Sequence, residues 1–530
     1  MNNPVETGRS RNPHLFLKLL PWAGAVATGG LLALAFPPFN QAWLAWVAFW
    51  PLLAAVWLLP GGSWRNAGLG YVAGLTFFWI NLFWITTVSG AGWFAFPFFL
   101  ALYFVPWSWL AGLLSQRVDV LKSKSNLLFA LFLASTWTAL EWVRGWLFSG
   151  FGWNTVGVSQ HDNLPIIQIV EFTGVGGVSF LVMWANVIGV ATLRRFFAEV
   201  GKTKIRPHYD FTCTMAMVAA VFGFGAKMLL APETGAWLHV AAVQPNIPID
   251  QKHDPKAAVR NVEILDRLTQ TALAMSPELV LWPETSIPTS TEEGTRLGIE
   301  LVERLMREHD FQFLLGSEDG DEAGSYNAAF LLTGSGAPAQ VYRKVHLVPF
   351  GEFIPFRHSF PLFAWIAGHQ VPGDFVSGKV VAPLHLRAPA LAVAPLICFE
   401  DTLGDLTRQF VQKGAQVLVN ITNDGWFLTS AEPEQHLSTA RFRAIENRRP
   451  LLRCANTGIT TFIDVCGRRR HELRGPGGSH FIEGVLTAKV RVPDANAPQT
   501  FYTRHGEVFS MACSGVMILA FVTALRRRRP

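Results

Sequence analysis

Apolar residues are concentrated in two parts of the chain, and a stretch with ordinary polar patterning separates them. Residues 16–230 are rich in Leu, Ala, Val, Phe and Trp, whereas residues 237–498 carry charges and turn residues. A membrane-spanning helix needs about 20 apolar residues. Eight segments meet this requirement, at residues 16–37, 42–59, 67–88, 92–114, 127–147, 174–193, 211–230 and 508–525. The pattern therefore predicts a polytopic membrane protein with seven spans before the polar stretch and one after it.

The basic residues between these spans indicate the orientation of the chain. Lys and Arg favour cytoplasmic loops. They precede the first span and follow the second, fourth, sixth and eighth, at Arg9, Arg11, Lys18, Arg65, Arg117, Lys122, Lys124, Arg194, Arg195, Lys202, Lys204, Arg206 and Arg526 to Arg529. With eight spans, all of these positions lie on one side of the membrane. The polar stretch lies between the seventh and eighth spans, so it is predicted outside the cytoplasm.

Residues 237–492 alternate short β-branched runs with amphipathic helical stretches. The strand-like runs are 238–243, 278–282, 311–315, 328–332, 390–397, 416–421 and 485–492. Helical periodicity covers 255–274, 292–308, 402–413 and 434–447. This alternation is typical of an α/β domain built around sheets. We therefore predict a seven-helix membrane domain at 1–235, an α/β domain at 236–498, and an eighth helix with a basic tail at 505–530.

Composition excludes several classes of function. The five cysteines, at positions 213, 398, 454, 466 and 513, are too few and too scattered for a disulfide framework. They form no CxxC or Cys/His pair with metal-ligand spacing, so any role of a cysteine would be individual. The net charge is +6, but the basic residues lie mostly in short loops and at the termini. They form no patch interleaved with aromatic residues, which argues against nucleic acid as a partner.

Three segments of the polar stretch each carry one reactive side chain. These are Leu-Trp-Pro-Glu-Thr with Glu284, Tyr-Arg-Lys-Val-His with Lys344, and Leu-Ile-Cys-Phe-Glu-Asp with Cys398. A thiol attacks as thiolate and needs a base, and the resulting oxyanion needs a fixed donor. Glu284 is suited to be the base and Lys344 the donor, with the backbone amide of Phe399 as a second donor. Taken singly, each residue is ordinary, as a core cysteine, a turn glutamate or a solvated lysine.

The order Glu, Lys, Cys in the contexts LWPET, YRKVHLVPFGE and PLICFED resembles the nitrilase superfamily of carbon–nitrogen hydrolases. Its members share an αββα sandwich and use those three residues as the catalytic set. The eight spans, with VQPNIP, NDGWF, EPEQH and RAIENRRPLLRCANTGIT at 243–248, 423–427, 432–436 and 443–460, resemble the apolipoprotein N-acyltransferase family. The resemblance implies an eight-span α-helical membrane domain joined to a nitrilase-like α/β sandwich.

The resemblance also implies an activity that needs no cofactor. An acyl chain would pass from a phospholipid, typically phosphatidylethanolamine, to Cys398 as a thioester. The α-amine of an S-diacylglyceryl cysteine in an apolipoprotein would then accept it, as the last step of lipoprotein maturation. The family further implies a monomer in the bacterial inner membrane, with its catalytic domain on the periplasmic face.

The same resemblance assigns supporting residues. Glu352 would orient the lysine and relay protons. Phe399 and Glu400, which follow Cys398 in the sequence, are also expected to be supporting residues. The family often has Tyr where Phe399 stands and Trp where His253 stands, so a hydroxyl or an indole is missing at those two positions.

Two other readings of the chain remain open. A membrane-tethered amidase or nitrilase would use the same three residues and resolve the thioester with water, although one helix would suffice as a tether. A transporter or sensor would use the α/β domain only to bind a ligand, although the joint presence of nucleophile, base and ammonium favours catalysis.

Three features have two interpretations each. The apolar run 350–375 is either a lid against the bilayer or core packing. Glu141 and Arg144, three residues apart in the fifth span, form a structural ion pair or contact a headgroup. Asn423 and Asp424 either orient the site or form a turn.

Overall fold

The computed structural model describes residues 13–59, 61–202, 207–252, 254–289, 291–334, 337–355, 357, 359 and 374–526. His253 and most of the predicted lid at 350–375 lie outside the described residues. The chain forms two units. The first comprises Met1–Leu140, Phe180–Ala216 and Cys513–Pro530, and the second comprises Glu141–Ser179 and Met217–Ala512.

The amino-terminal region and the last helix are apolar. Helices α1 to α10 are Pro13–Leu34, Trp50–Leu58, Ser63–Asn81, Gly90–Leu100, Phe104–Ser115, Ser123–Arg144, Leu164–Ile167, Val170–Thr173, Val175–Glu199 and Tyr209–Leu230. Glycines let neighbouring helices of the first unit approach closely. A Cβ on Gly29 would lie 2.7 Å from Thr76 Cβ, and one on Gly70 would lie 2.7 Å from the Phe104 carbonyl oxygen. Such small-residue contacts are typical of helix packing in membranes.

Five helical stretches of the described residues are long and apolar enough to cross a membrane. They are Gly90–Ser115, Ser123–Arg144, Val175–Glu199, Tyr209–Leu230 and Val508–Leu525. The remaining three of the eight predicted spans are also helical, but their apolar parts are shorter or more polar. Lys18–Leu34 and Ala42–Leu58 fall short in length, and Ser63–Asn81 carries Arg65, Asn66 and Asn81.

Two six-stranded sheets form the centre of the second unit. The strands β1 to β12 are Ala236–Gln244, Leu279–Leu281, Gln312–Asp321, Gly324–Leu332, Gln340–Arg343, Leu384–His385, Ala392–Ile397, Val417–Thr422, Leu451–Ala455, Thr461–Ile463, Arg469–Glu472 and Gly484–Val492. The strand order is β12-β1-β2-β3-β4-β5 in one sheet and β11-β10-β9-β8-β7-β6 in the other. All seven predicted strands are present.

Helices cover the outer faces of the sheets. In this unit helices α11 to α16 are Ile249–Lys252, Ala258–Leu273, Glu292–Glu308, Gly404–Gln412, Glu432–Asn447 and Phe501–His505. The last helix of the chain, α17, is Val508–Leu525. Helix α13 shows why these segments are helical. Its N-cap residue Thr291 accepts a hydrogen bond from Gly294 N at 3.0 Å, acidic residues occupy its first turn, and Arg307 lies in its last turn.

The interior of this unit has two apolar layers. The inner faces of both sheets share one core, which includes Val240, Leu281, Leu396 and Val419. A second core, which includes Trp282 and other side chains of β1 to β3, packs under α12 and α13. Side chains of α14 and α15 join the first core from the far side of the second sheet. The layers are therefore helix, sheet, sheet, helix.

Each sheet contains parallel strand pairs. β1 pairs in parallel with β2 in one sheet, and β8 pairs in parallel with both β7 and β9 in the other. The carboxyl ends of β2 and β7 lead directly to Glu284 and Cys398. Residues that follow parallel strands emerge at the same edge of a sheet, where α/β proteins commonly carry their sites.

Candidate active site

Glu284 lies in a tight turn that begins two residues after β2. Thr285, which follows it, has φ of 44°. The turn lies against Gly316, where a Cβ would be 2.6 Å from the Pro283 carbonyl oxygen and 2.7 Å from Glu284 Cα. Only glycine at position 316 allows this approach. The buried Lys252 Nζ donates to the Glu284 carbonyl oxygen at 2.7 Å and holds the turn from the other side.

Lys344 follows β5 and is almost completely buried. Its Nζ donates to Glu352 Oε1 at 2.8 Å and lies 3.7 Å from Glu284 Oε1. Asn327 joins the two carboxylates, because its Nδ2 lies 2.7 Å from Glu284 Oε1 and 2.9 Å from Glu352 Oε1. The lysine is thus fixed between two glutamates, and Asn327 holds both glutamates in place. This asparagine is not predicted from the sequence.

The charge of Lys344 is secured by these neighbours. Burial lowers the pKa of an ammonium, but the carboxylates of Glu352 and Glu284 outweigh burial here and raise the pKa of Lys344 above its ordinary value. Lys344 is therefore an ammonium at physiological pH. A buried, fixed positive charge is the type of group that stabilises an oxyanion.

Cys398 occupies a sharp turn between β7 and the short helix Cys398–Thr402. Its φ of 52° lies in the left-handed region, which non-glycine residues seldom occupy. The Asn420 side chain donates to the Cys398 carbonyl oxygen at 3.0 Å and holds this conformation. Burial and the charge of Glu284 raise the pKa of Cys398 well above its ordinary value, and Lys344 only partly opposes them. The sulfur therefore rests as a thiol, and its reaction needs a base.

Glu400 ties the nucleophile turn to the lysine loop. Its Oε1 accepts from Tyr342 Oη at 2.8 Å, Val345 N at 2.8 Å and His346 N at 3.0 Å, while Oε2 accepts from Ile397 N at 2.9 Å. Burial raises the pKa of Glu400, although these donors and Lys344 oppose the shift. Glu400, a predicted supporting residue, is a fully buried hydrogen-bond acceptor between the two loops.

The Phe399 ring lies between two other rings. Its centroid is 6.1 Å from Trp153 at an interplanar angle of 7°, and 5.9 Å from His346 at 27°. Trp153 is fixed in turn by a hydrogen bond from its Nε1 to Gln435 Oε1 at 2.9 Å. The described contacts of Phe399 are aromatic and need no hydroxyl, so stacking accounts for a ring at this position.

The two charges predicted in the fifth span both bind the loop that contains Trp153. Glu141 Oε1 accepts from Val156 N at 2.7 Å, and Arg144 Nη1 donates to the Trp153 carbonyl oxygen at 2.7 Å. Both side chains therefore position the loop that supplies Trp153 to the stack on Phe399.

A fully buried charge cluster lies behind the nucleophile, and sequence reasoning missed it as a unit. Arg453 Nη1 donates to Asp401 Oδ2 at 2.9 Å, and Arg453 Nη2 lies 3.0 Å from both carboxylate oxygens of Asp424. His436 Nε2 lies 2.7 Å from Asp401 Oδ1. Burial, reinforced by the charge of Asp424, raises the pKa of Glu432 to about 8. Asp424 is therefore a buried partner of Arg453 behind the nucleophile. The motifs NDG and EPEQH, which contain Asp424, Glu432 and His436, were the sequence features that could have indicated this cluster.

The charge cluster is built around a guanidinium. Asp424, Glu432 and His436 bring their potential ligand atoms within 4.8 Å of one another, a spacing that could suit a metal ion. However, Arg453 Nη2 also lies 3.0 Å from His436 Nδ1 and so faces the same atoms. The arginine already supplies the positive charge that a cation would bring.

The other described cysteines have different surroundings. Cys454 lies in β9, and burial raises the pKa of its thiol above the ordinary value. Its Sγ lies 3.4 Å from the carbonyl oxygens of Val243 and Leu281. Burial likewise raises the pKa of Cys466. Cys398 is distinguished by its electrostatic coupling to both Glu284 and Lys344.

Two family models match the chain, one on each side of residue 200. Residues 28–188 match the apolipoprotein N-acyltransferase N-terminal domain, and residues 239–497 match the carbon-nitrogen hydrolase family. The apolipoprotein N-acyltransferase of Geobacter metallireducens is 35% identical over 525 residues, covering 95% of each chain. That of Chlorobaculum tepidum is 30% identical over 544 residues, covering 96% of this chain and 97% of its own. The chain therefore belongs to the apolipoprotein N-acyltransferase family and is a membrane acyltransferase with a domain of the nitrilase superfamily.

Proposed function

We propose that this chain transfers a fatty acyl chain from a phospholipid to the α-amine of an S-diacylglyceryl cysteine at the start of an apolipoprotein. The observation that carries the proposal is the fixed Lys344 ammonium, 3.7 Å from Glu284 and electrostatically coupled to Cys398. A base, a buried cation and a thiol are the groups that acyl transfer through a thioester requires. Membership of the family supports the choice of donor and acceptor.

In the first half-reaction Glu284 takes the proton of the Cys398 thiol, and the sulfur attacks the ester carbonyl carbon of the phospholipid. The Lys344 ammonium and the Phe399 amide stabilise the oxyanion. The carbon–oxygen bond to glycerol then breaks, and the leaving alkoxide takes the proton held by Glu284. A lysophospholipid departs, and the acyl chain remains on sulfur as a thioester. Phosphatidylethanolamine is the donor that we propose.

In the second half-reaction the lipoprotein α-amine attacks the thioester carbon. Glu284 accepts a proton from the amine, Lys344 again stabilises the oxyanion, and the carbon–sulfur bond breaks to leave an amide. The departing thiolate recovers a proton from Glu284, so the enzyme returns to its starting state. Glu352 and Asn327 keep Lys344 charged and aimed throughout, because they bind its ammonium and the neighbouring carboxylate.

Lys344→Arg is expected to reduce acyl transfer by more than about 100-fold, a loss of the size seen when an oxyanion donor is removed. The ammonium is almost fully buried between two carboxylates, and a planar guanidinium cannot occupy that space without displacing Glu284 or Glu352. The rate of thioester formation with phospholipid alone measures the effect. Arg296→Lys, at an exposed ion pair on α13, is the matched control. Normal turnover of Lys344→Arg would remove Lys344 from the mechanism.

The arrangement in the membrane is part of the proposal. We infer eight spans, with a membrane domain at 1–235, the catalytic domain at 236–498 and the last helix and basic tail at 505–530. The bias of Lys and Arg then puts the catalytic domain on the periplasmic face of the bacterial inner membrane. The protein acts there as a monomer.

Reporter fusions test this orientation. A fusion at Gly334 is expected to be active only with a periplasmic reporter, and a fusion after Arg529 only with a cytoplasmic one. Eight spans leave both ends of the chain on the same side of the membrane, which the basic residues identify as the cytoplasmic side. The catalytic domain follows seven spans and is therefore on the opposite side. Cytoplasmic signals at both positions would contradict the eight-span count.

A direct assay tests the activity. The detergent-purified protein is mixed with phosphatidylethanolamine and a diacylglyceryl peptide, and mass spectrometry then follows the products. We expect triacylated peptide and lysophospholipid in equal amounts. Free fatty acid in place of triacylated peptide would indicate a hydrolase in which water resolves the thioester. No change in the phospholipid would indicate a domain that only binds its ligand.

A further inference from the structure

The residue beside Cys398 on the neighbouring strand is a buried threonine that has no part in the mechanism above. Strands β7 and β8 are parallel, and their register pairs Ile397 with Ile421. Cys398 and Thr422 are the next residues of each strand path, and they therefore lie side by side. The Thr422 side chain is fully buried, and its hydroxyl acts to lower the pKa of the neighbouring Cys398 thiol.

The same hydroxyl also contacts a carboxylate. Thr422 Oγ1 donates to Asp424 Oδ1 at 3.2 Å. Asp424 does not depend on this bond, because Arg453 Nη2 lies 3.0 Å from both of its oxygens. Thr422 therefore lies between a reactive sulfur on one side and a carboxylate with its own strong partner on the other.

A hydroxyl has one proton and can direct it to only one acceptor at a time. While Cys398 is a thiol, its S–H can donate to the Thr422 oxygen, and the Thr422 proton points to Asp424. Once Cys398 is a thiolate, the sulfur has no proton and needs a donor. Rotation about the threonine Cβ–Oγ1 bond then brings the hydroxyl proton to the sulfur. Asp424 keeps its bonds to Arg453, so the rotation leaves no buried carboxylate unpaired.

We propose that Thr422 is a further catalytic residue, whose hydroxyl stabilises the Cys398 thiolate by turning its proton from Asp424 to the sulfur. No covalent bond changes in this step, because the proton stays on Oγ1 and only its acceptor changes. The thiolate occurs twice in the proposed reaction, as the nucleophile toward the phospholipid ester and as the leaving group from the thioester. The hydroxyl would assist both half-reactions.

The other charges around Cys398 explain why a neutral donor is useful. Burial and the carboxylates of Glu284 and Asp424 raise the pKa of the Cys398 thiol, and the Lys344 ammonium opposes them. The buried Lys252 is also electrostatically coupled to this sulfur. Lys344 is directed toward the oxyanion in the proposed mechanism. Thr422 can donate to the sulfur itself without adding a charge to the site.

The inference rests on the proposed role of Cys398, and its test uses a reaction that needs no lipid. Iodoacetamide alkylates only thiolate, so the alkylation rate of Cys398 measures the thiolate fraction. The full chain in detergent is alkylated between pH 7 and 9.5, and mass spectrometry of the Cys398 peptide gives the rate. Thr422→Val, which is nearly isosteric, is expected to slow alkylation about tenfold at every pH, because it removes a hydrogen bond to the charged form.

Control variants separate this role from a structural one. Thr422→Ser keeps the hydroxyl and is expected to restore the wild-type alkylation rate. Thr407→Val removes another buried hydroxyl, which donates to the Leu403 carbonyl oxygen, and is expected to leave the rate unchanged. Thioester formation from phospholipid should show a lower kcat with an unchanged KM in Thr422→Val.

Two results would overturn the inference. One is wild-type alkylation of Cys398 in Thr422→Val across the pH range, and the other is equally slow alkylation in Thr422→Ser. If Thr422→Val does not fold, Thr422→Ala provides a second variant without the hydroxyl and carries the same expectation. Failure of the proposed function would look different. Cys398 alkylation would then respond to Thr422 as expected, while phospholipid left no acyl group on the enzyme.

Discussion

Cys398→Ala is expected to abolish formation of the acyl-enzyme while leaving the protein folded. The proposed thioester needs the sulfur, and no other described cysteine is coupled to both Glu284 and Lys344. Alanine removes one atom at a partly exposed turn, so packing changes little. In a two-step mechanism, phospholipid alone leaves on the wild-type enzyme an acyl group that hydroxylamine removes, with lysophospholipid released in equal amount. The variant should give neither product.

Two further variants sharpen that experiment. Cys454→Ala, in the buried strand β9, is expected to keep the label, because its thiol lies in the apolar core and donates to the backbone carbonyl oxygens of Val243 and Leu281. Cys398→Ser should accept the chain slowly as an ester and release it poorly, since alkoxide is a worse leaving group than thiolate. Labelling of Cys398→Ala would exclude Cys398 as the nucleophile. Acyl transfer that occurs only when donor and acceptor are both present would exclude the covalent mechanism.

Arg453→Met is expected to destabilise the protein by about 3–5 kcal/mol, the typical effect of breaking a buried ion pair by removing one partner. Arg453 is fully buried and contacts both Asp401 and Asp424. Without the guanidinium, two carboxylates lose the positive charge that compensates them inside the second unit. The thermal unfolding midpoint in detergent, measured by intrinsic fluorescence, reports the loss.

An exposed ion pair provides the comparison for this variant. Arg296→Met, at the pair with Glu300, should change stability by less than about 1 kcal/mol, because solvent screens that pair. Arg453→Lys should fall between the two, since an ammonium keeps the charge but cannot reach all the acceptors of a guanidinium. Equal midpoints for Arg453→Met and the wild type would mean that the charges of the cluster do not depend on Arg453.

Local periodicity predicted most of the α/β domain. The seven apolar runs became strands because they alternate or are buried on both faces, and α13 covers Glu292–Glu308, where helical periodicity predicted it. The strands that the pattern missed are short or polar. β11 reads Arg-Arg-His-Glu, and β9 carries Arg453 at its centre, so neither has a strand-like sequence. These strands exist because neighbouring strands pair with them.

The candidate site divides in the same way. Glu284, Lys344 and Cys398 follow recognisable segments, and their motifs resemble those of a known family. Asn327 gave no local signal, because its function comes from two carboxylates that are distant in sequence. Arg453 is similar, since its partners Asp401 and Asp424 lie in other segments. Side chains that act through long-range contacts are invisible to a reading of spacing alone.

The left-handed backbone at Cys398 limits which amino acids the position can accept. In the left-handed region a side chain branched at Cβ meets more steric strain from the adjoining peptide groups than an unbranched one. At φ of 52°, cysteine and serine are therefore less strained than threonine, although Thr285 shows that the chain accommodates a β-branched residue at φ of 44°. Among the hydroxyl and thiol residues, the backbone at position 398 thus favours a primary alcohol or a thiol over a secondary alcohol, whatever base and cation stand beside it.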